Sequence, residues 1–378
     1  MDNLIAANIR QRPIRSLVSV VGVALGVALV MLFTGLARGM SNDLQRRSQN
    51  LRAEIIFTRP GTMDNLTSSP ANLSTKYVDN LRAVEGVESA VPVIRYVFQG
   101  GAGFGFEQVE GVEWEPFAGM NNLRITEGRA PVPRSETAQA SDEMVEVVID
   151  ETKARNSNVG VGGVLNLFGD IPHRVVGIYA PESGARVKMS LGDMQYRVEA
   201  PGKCTYILVK AKNGVDEKTL AERIDADAGT KGNKIQFTRD VFTSIEKSIP
   251  YLGLFLKVLV GLAAVVSALV VMLAMYTTIT ERTREIGILK AMGASRGFII
   301  GVIEKEAILI SVLGLVLGFV IALIAGVLIH RAYGLVFEYG WGWAAAAALI
   351  GLLGGVIGAL YPAVRAANLD AVSALSYE

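Results

Sequence analysis

The 378-residue sequence predicts a membrane α-helical protein, four transmembrane helices per protomer, with an α+β extracytoplasmic domain inserted between helices 1 and 2. Three observations carry that expectation. Hydrophobic residues make up 51% of the chain and charged residues 19%, and the apolar excess collects at the two ends, as in a membrane protein with a water-soluble middle. Four uncharged runs are long enough to cross a hydrocarbon core about 30 Å thick at about 1.5 Å per residue. Between the first and second runs the chain is polar, rich in turn residues, and patterned as strands and short helices.

In chain order, residues 1–15 read as a cytoplasmic amphipathic segment carrying Arg10, Arg12 and Arg15, and residues 16–36, Ser16 to Leu36, as the first span. A cleaved signal peptide competes for this stretch, but its apolar core is usually about 7 to 15 residues and this one is longer, so the segment is expected to stay. Residues 37–251 form the extracytoplasmic domain, flanked by stalk helices ARGMSNDLQRRSQNLRA and TRDVFTSIEKSIPYLG. Two stretches read as strand, helix, strand: EIIFTRP, LSTKYVDNLRAVEG and VESAVPVIRYVF; then CTYILVKAK, VDEKTLAERIDADAG and KIQFT. The centre, about 100–202, alternates in short β-like runs such as MVEVVID, GVLNLF and HRVVGIYA. Two subdomains are predicted, an α+β one made by the flanks and a β-rich one inserted within it.

The second span is residues 252–280 around the run Val258 to Tyr276, the third 299–330 around Ile308 to Ile329, and the fourth 341–363. One Lys, Arg or Asp at a helix centre costs on the order of 3 kcal/mol. Lys257 and the Glu304, Lys305, Glu306 cluster are therefore assigned to the interfaces, where long side chains snorkel. Residues 281–298 lie between the second and third spans, and 364–378 form a tail. Arg10, Arg12, Arg15, Arg282, Arg284, Lys290 and Arg296 all fall on one side, against Arg331 in the opposite short loop. The positive-inside rule puts both termini and the 281–298 segment in the cytoplasm.

Several chemistries are disfavoured. A net charge of +1 without a basic patch gives no footing for nucleic acid. Cys204 stands alone and reads as a small apolar strand residue, while His173 and His330 have no ligand spacing. Gln99 to Phe106, QGGAGFGF, does not fit G-x-G-x-x-G and reads as a hairpin turn. The Gly202-Lys203 pair is followed by Cys204 and lacks the earlier glycine of a phosphate-binding loop. Serines occur throughout without a plausible His partner, and Glu143 and Glu146 read as the solvated face of a strand edge. No catalytic, cofactor or metal residue is expected.

The stretch Glu281 to Ser295, ERTREIGILKAMGAS, interrupts this apolar half with charge. As a helix it sets Ile286, Leu289 and Gly293 on one side, with Ile288 and Met292 adjacent and Glu281 within reach of Arg284. Gly293 and Ser295 supply a helix end and a restart before Phe298. Periodicity alone leaves two readings open: a helix that docks into a groove of another protein, or an interfacial loop that only satisfies the positive-inside rule.

Glu281-Arg282, Arg284-Glu285-Ile286-Gly287 and Leu289-Lys290-Ala291-Met292-Gly293-Ala294 resemble the E-R-x-x-E-I-G-x-L-[RK]-A-x-G-A signature of permeases in the MacB/FtsX/LolC superfamily, the type VII ABC transporters. Tyr361-Pro362-Ala363, Arg365-Ala366-Ala367, Leu369-Asp370, Ala374-Leu375 and Glu378 resemble the family's closing motif, with Ala371 or Val372 where proline is common. Asn8-Ile9-Arg10 and Arg15 are similar to its N-terminal segment. The resemblance covers the whole architecture.

That resemblance implies a permease chain without its own ATPase site, with ATP and Mg bound by a separate ABC ATPase dimer. It also implies a second permease protomer, identical or not, a possible periplasmic adaptor, and residence in the cytoplasmic (inner) membrane. The ATPase-coupling helix is carried over onto Glu281, Arg282, Arg284, Glu285, Ile286, Gly287, Leu289, Lys290 and Gly293. Within it, Ile286, Leu289 and Gly293 are expected to enter an ATPase groove, with Glu281, Arg284 and Glu285 as polar rim. The middle domain is similar to the Porter and Sabre subdomains of the family and larger than the insertion of FtsX. Uncharged spans argue for mechanical transmission rather than a wide hydrophilic pore. The leading expectation is ATP-driven export or extraction of a lipidated, peptidic or small amphipathic cargo. An FtsX-like complex that switches an extracytoplasmic enzyme is the alternative, and a membrane-anchored binding module without an ATPase a third.

Overall fold

Residues 13–62, 70–99, 106–134, 144–227, 229–240 and 252–368 are described in the computed structural model. The chain divides into a helical unit, Met1–Met40 with Pro250–Glu378, and a sheet unit, Ser41–Ile249. The expected N-terminal amphipathic segment, the second stalk beyond 240 and the tail from 369 lie outside the described residues.

The first apolar run becomes α1 (Pro13–Gln49), which does not stop at residue 36 but continues through ARGMSNDLQRRSQ and contributes residues to both units. No proline interrupts this stretch after its first residue, where proline is tolerated.

The sheet unit follows as β1 (Ile55–Thr58), β2 (Leu73–Ser74), α2 (Tyr77–Ala83), β3 (Val87–Gln99), β4 (Phe106–Val112), α3 (Trp114–Asn121), β5 (Arg124–Gly128), β6 (Val145–Asp150), α4 (Glu151–Ser157), β7 (Val164–Leu167), β8 (Ile171–Ala180), β9 (Val187–Ser190), α5 (Leu191–Arg197), β10 (Lys203–Cys204), β11 (Tyr206–Ala211), α6 (Glu217–Ala226) and β12 (Lys234–Phe237). Ten of the strands form one mixed sheet, ordered β12-β1-β11-β3-β4-β9-β6-β8-β5 with β7 paired to β8. The period-2 alternation of each strand feeds two cores. Ile55, Phe57, Ile207, Val209, Val147 and Ile149 point to one face, covered by Leu81 of α2, Met194 of α5 and Leu220 of α6. Ile56, Tyr206, Leu208 and Val148 point to the other, covered by Phe117 and Met120 of α3. Complete burial of a side chain such as Phe57 or Phe117 contributes roughly 2–3 kcal/mol each.

The sheet corrects the expectation of two separate subdomains. β3 pairs antiparallel with β4, Val93 to Val112 through Gln99 to Phe106, and β4 pairs parallel with β9, Val109 to Val187. Both pairings carry the sheet past the boundary expected near residue 100. The hairpin expected at QGGAGFGF has its two strands in place, while residues 100–105 lie outside the described residues. β6 sits between β9 and β8 rather than at an edge, and Glu146 on it hydrogen-bonds the Arg129 guanidinium. Helices α3, α4 and α5 were not expected in the β-rich centre. α4 and α5 start on side-chain caps, Asp150 accepting from Lys153 N at 2.6 Å and Ser190 from Asp193 N at 3.1 Å.

Beyond the sheet come α7 (Leu252–Glu281), α8 (Thr283–Ala291), α9 (Arg296–Tyr333) and α10 (Trp341–Ala367). With α1, the three long ones are each long and apolar enough to cross a membrane. α9 begins at Arg296 rather than 299, and α10 runs through Pro362 to Ala367 rather than stopping at 363. Leu262, Leu273, Val316, Leu328 and Ile357 face outward, the inverse of the sheet unit. The helices meet instead through small residues, because lipid offers no hydrophobic drive for helix association. A Cβ at Gly358 of α10 would run into the carbonyl oxygen of Ala268 on α7. One at Gly355 would run into Ser311 Oγ on α9.

Candidate functional site

The charged signature becomes a separate short helix because the chain turns at Arg282. α7 ends on Glu281, Arg282 leaves helical geometry at φ −106° and ψ 14°, and α8 starts at Thr283. The turn stays hydrogen-bonded: Arg282 N reaches Thr278 O at 3.1 Å, and the Thr283 hydroxyl donates to Thr280 O at 2.8 Å. At the other end Gly293, with φ +93°, supplies the left-handed residue that closes the helix. Ala294 N returns to Leu289 O at 3.0 Å, and Ser295 Oγ caps α9 by accepting from Phe298 N at 3.2 Å.

Two long-range ties hold α8 against its neighbours. The Arg282 guanidinium, largely buried, lies 3.7 Å from Glu285 and 3.8 Å from Glu306 on α9. Lys290 Nζ donates at 2.8 Å to the carbonyl oxygen of Ala367, the last residue of α10. The Glu285 pair is water-exposed and is worth at most about 1 kcal/mol. Glu306 is only 7% exposed, so it does not snorkel as expected for its cluster but turns inward to the Arg282 charge. Glu306 and Ala367 are the partners that sequence reasoning missed. Their only signal was an acidic residue next to an apolar run.

The helix presents a face other than the one expected. Thr283, Ile286 and Gly287 are buried, Ile286 within the helical unit's own core, so Ile286 is not available to a partner's groove. Leu289 and Lys290 are half-buried. Outward lie Glu281, Arg284, Glu285, Ile288, Met292 and Gly293, with Ile288 45% and Met292 71% exposed. Along this face Glu285 leads to Ile288 and Met292, an acidic start followed by an apolar end.

Among its described residues the sheet unit concentrates buried charge in two clusters. Lys188 Nζ meets Glu110 Oε2 at 2.8 Å and the carbonyls of Ser183 and Ala185 at 2.7 and 2.9 Å. Arg95 and the Tyr206 hydroxyl meet Glu110 Oε1 at 3.2 and 3.0 Å. Burial works against the Glu110 charge, but Lys188 and Arg95 outweigh it and hold its pKa down to about 2. Arg186 joins Asp150 at 2.9 Å, Glu182 at 2.8 Å and Asp43 of α1. Arg47 donates to Gly184 O at 2.7 Å, so the end of α1 is fastened to the loop between β8 and β9. Every charge here is spent on another charge or a carbonyl, which is the pattern of a scaffold rather than of a general acid or nucleophile. Cys204 is buried, and burial pushes its thiol up to about 12, so it is inert. Among the described residues, no group of three or more His, Cys, Asp or Glu is placed to hold a metal ion.

Residues 16–227 match the family described as MacB-like periplasmic core domain, and residues 257–371 the one described as FtsX-like permease C-terminal. The chain is 26% identical over 392 residues to the macrolide export ATP-binding/permease protein MacB of Escherichia coli, covering 97% of this chain and 58% of that protein. The protein of the same description from Shewanella sp. (strain ANA-3) is 27% identical over 400 residues, with 97% and 58% covered. The chain thus spans about 58% of the length of the curated relatives it matches. The periplasmic region of MacB from Actinobacillus actinomycetemcomitans is 19% identical with a TM-score of 0.36, covering 54% of this chain and 98% of that one.

Proposed function

The chain belongs to the MacB/FtsX family of type VII ABC permeases, a multi-pass membrane protein with an extracytoplasmic domain, and from that premise we propose that it is the permease subunit of an ATP-driven complex. A separate ABC ATPase dimer, holding ATP and Mg, seats against α8. Its closure moves α8 and α7, and the movement passes along the chain to the extracytoplasmic domain. There a lipidated, peptidic or small amphipathic cargo is exported or extracted; the relatives carry macrolide export in their names, and a macrolide is such an amphipathic molecule. The chain works as a homo- or heterodimer in the inner membrane, with both termini in the cytoplasm and a periplasmic adaptor as a further partner.

One observation carries this reading. α8 is tied at its start through Arg282 to Glu306 and at its end through Lys290 to Ala367, while Ile288 and Met292 stay exposed. A helix held at both ends moves with the helices it is tied to, and exposed apolar side chains beside a charged one are what a protein groove recognises. The groove contacts are accordingly Ile288 and Met292, with Leu289 at their edge and Arg284 and Glu285 on the rim.

The test is reconstitution with the ATPase. Ile288→Asp combined with Met292→Asp should abolish assembly and cargo-dependent ATP hydrolysis. Survival of assembly, hydrolysis and cargo handling together would refute docking at α8. A complex that hydrolyses ATP, moves no cargo and instead switches an extracytoplasmic enzyme would identify the regulatory alternative.

A further inference from the structure

The sheet unit contains an open cavity of about 570 Å³ lined by Tyr96, Phe168, Tyr196, Arg197, Val198 and Glu199. That volume is in the range of small-molecule sites. Phe168 shapes it. It sits in the turn from β7 to β8, where Leu167 pairs with Ile171, and it adopts φ +53°, followed by Gly169 at +83° and Asp170 at +77°. A bulky side chain rarely takes this left-handed conformation, and such strain collects at functional positions. Here the strained backbone holds an aromatic wall. The Phe168 ring stacks on Phe98 at 4.9 Å and leans on Tyr96 at 5.4 Å, with His173 at 5.5 Å.

A cation lies on that wall. The Arg197 guanidinium lies 4.4 Å from the centre of the Phe168 ring and makes no ion pair or hydrogen bond among the described residues. Burial, and the nearby Arg134, press against its charge. His173 is buried and its Nε2 has no hydrogen-bond partner among the described residues. Glu199, exposed at the rim, is the one acid in the lining. The nearby Asp193 is already committed, to the Ser190 hydroxyl and Arg134 N.

The lining is therefore aromatic faces, a stacked guanidinium with no ion pair among the described residues, and Glu199 at the rim, with Val198 its single aliphatic side chain. Aromatic faces prefer rings, a guanidinium prefers a planar carboxylate, and a long alkyl tail finds little here to cover it. We propose that this cavity is a binding site for an aryl carboxylate, the ring seated among Tyr96, Phe168 and Tyr196 and the carboxylate on Arg197. The chemistry fits a small aromatic acid or the C-terminal aromatic residue of a peptide. The site deepens the cargo reading given above, where it would select what the complex moves, but its existence does not depend on ATP coupling.

The test is calorimetric titration of the purified full chain in nanodiscs, without any ATPase, using N-acetylphenylalanine, its carboxamide, and a hexapeptide ending in phenylalanine. The acid should bind about tenfold tighter than the carboxamide. Arg197→Gln should erase that preference, and Tyr196→Ala, at a side chain 67% exposed, should weaken both several-fold. Should Arg197→Gln fail to fold, Arg197→Lys keeps the charge without the planar fork and should lose part of the preference. Tighter binding of the hexapeptide than of the free acid supports a peptide source, and the reverse a small acid. Equal binding of acid and carboxamide, a preference that survives Arg197→Gln, or no binding by any probe overturns the proposal. Those outcomes leave the ATPase docking at α8 untouched, as a failed docking test leaves this site untouched.

Discussion

Lys290 Nζ and the carbonyl oxygen of Ala367 are joined by a 2.8 Å hydrogen bond across 77 residues of sequence, from the last turn of α8 to the last residue of α10. Ala367 is the last residue of α10, and a lysine is the side chain suited to the negative pole of a helix end. Lys290→Met removes the donor and keeps the stem. A hydrogen bond from a charged group is worth about 1.5–3 kcal/mol, so cargo-stimulated ATP hydrolysis in the reconstituted complex should fall roughly tenfold. Basal hydrolysis by the isolated ATPase should not change.

Ile286 and Ile288 are two residues apart on α8 and should behave in opposite ways. Ile288→Ser should weaken ATPase binding by about tenfold or more while leaving thermal unfolding of the chain alone unchanged. Ile286→Ala opens a cavity in the helical core and should destabilise the chain by about 2–5 kcal/mol, read as earlier thermal unfolding in detergent. If Ile286→Ala leaves stability intact and weakens docking instead, the assignment of faces is reversed.

Lys188→Met leaves Glu110 buried with only Arg95 and Tyr206 to answer it, and should cost about 3–5 kcal/mol. Adding Glu110→Leu should restore part of that loss, because the Lys188 pair then vanishes together while Arg95 loses its carboxylate. Equilibrium unfolding of the single and double variants measures both.

Acid should unfold the sheet unit in two stages. Burial first, and the charges of Arg197 and Arg134, lower the His173 pKa below 6.5. Its folded value is below its unfolded one, so its contribution is complete above about pH 6.5 and is lost as the pH falls from there. Glu110 titrates at about 2 in the fold against 4.5, so its contribution, about 3 kcal/mol, is complete above about pH 4.5 and is lost between 4.5 and 2. Asp150, raised by burial against the pull of Arg186, offsets part of this loss. Melting temperature should be flat above pH 6.5, decline gently below it and steeply below 4.5. Glu110→Gln should remove the steep stage, and a steep stage that persists would mean another carboxylate governs it.

Gly358→Val should disrupt the α7–α10 contact, since the added carbons meet the backbone oxygen of Ala268 rather than a movable side chain. Gly342, with nothing within 4 Å of an added Cβ, is the control position. Disulfide cross-linking between cysteines introduced on α7 and α10 should fall for the first substitution and stay unchanged for the second.

The long helices were legible because twenty apolar residues in a row have few other uses. The position of α8 was legible too, from charge between two such runs and from Gly293 and Ser295 at its end. Its orientation was not. The nine residues of α8 and its C-cap Met292 carry apolar groups all round, Ile286 and Leu289 on one side and Ile288 and Met292 on the other, and the choice is made by Glu306 and Ala367, distant in sequence. The sheet unit failed in the same way. α4 and α5 span seven residues each, under two turns, too few to show a 3.6 period. The parallel pairing of Val109 with Val187 depends on chain topology that local pattern does not contain. The cavity beside Phe168 left no trace in sequence, since nothing local announces a phenylalanine in a left-handed turn.

The first strand of the sheet unit, β1, is hydrogen-bonded to the last, β12, with Ile55 opposite Phe237. The polypeptide therefore arrives in that unit and departs from it along adjacent strands, in opposite directions. An excursion closed in this way can be grafted into a loop or trimmed from one without rerouting the remainder, because donor and recipient need only two neighbouring attachment points. A gene fragment cut near Leu51 and near Thr238 retains all twelve strands of the described residues, and exchange between relatives at those two cuts is a practical route to permeases of altered cargo range.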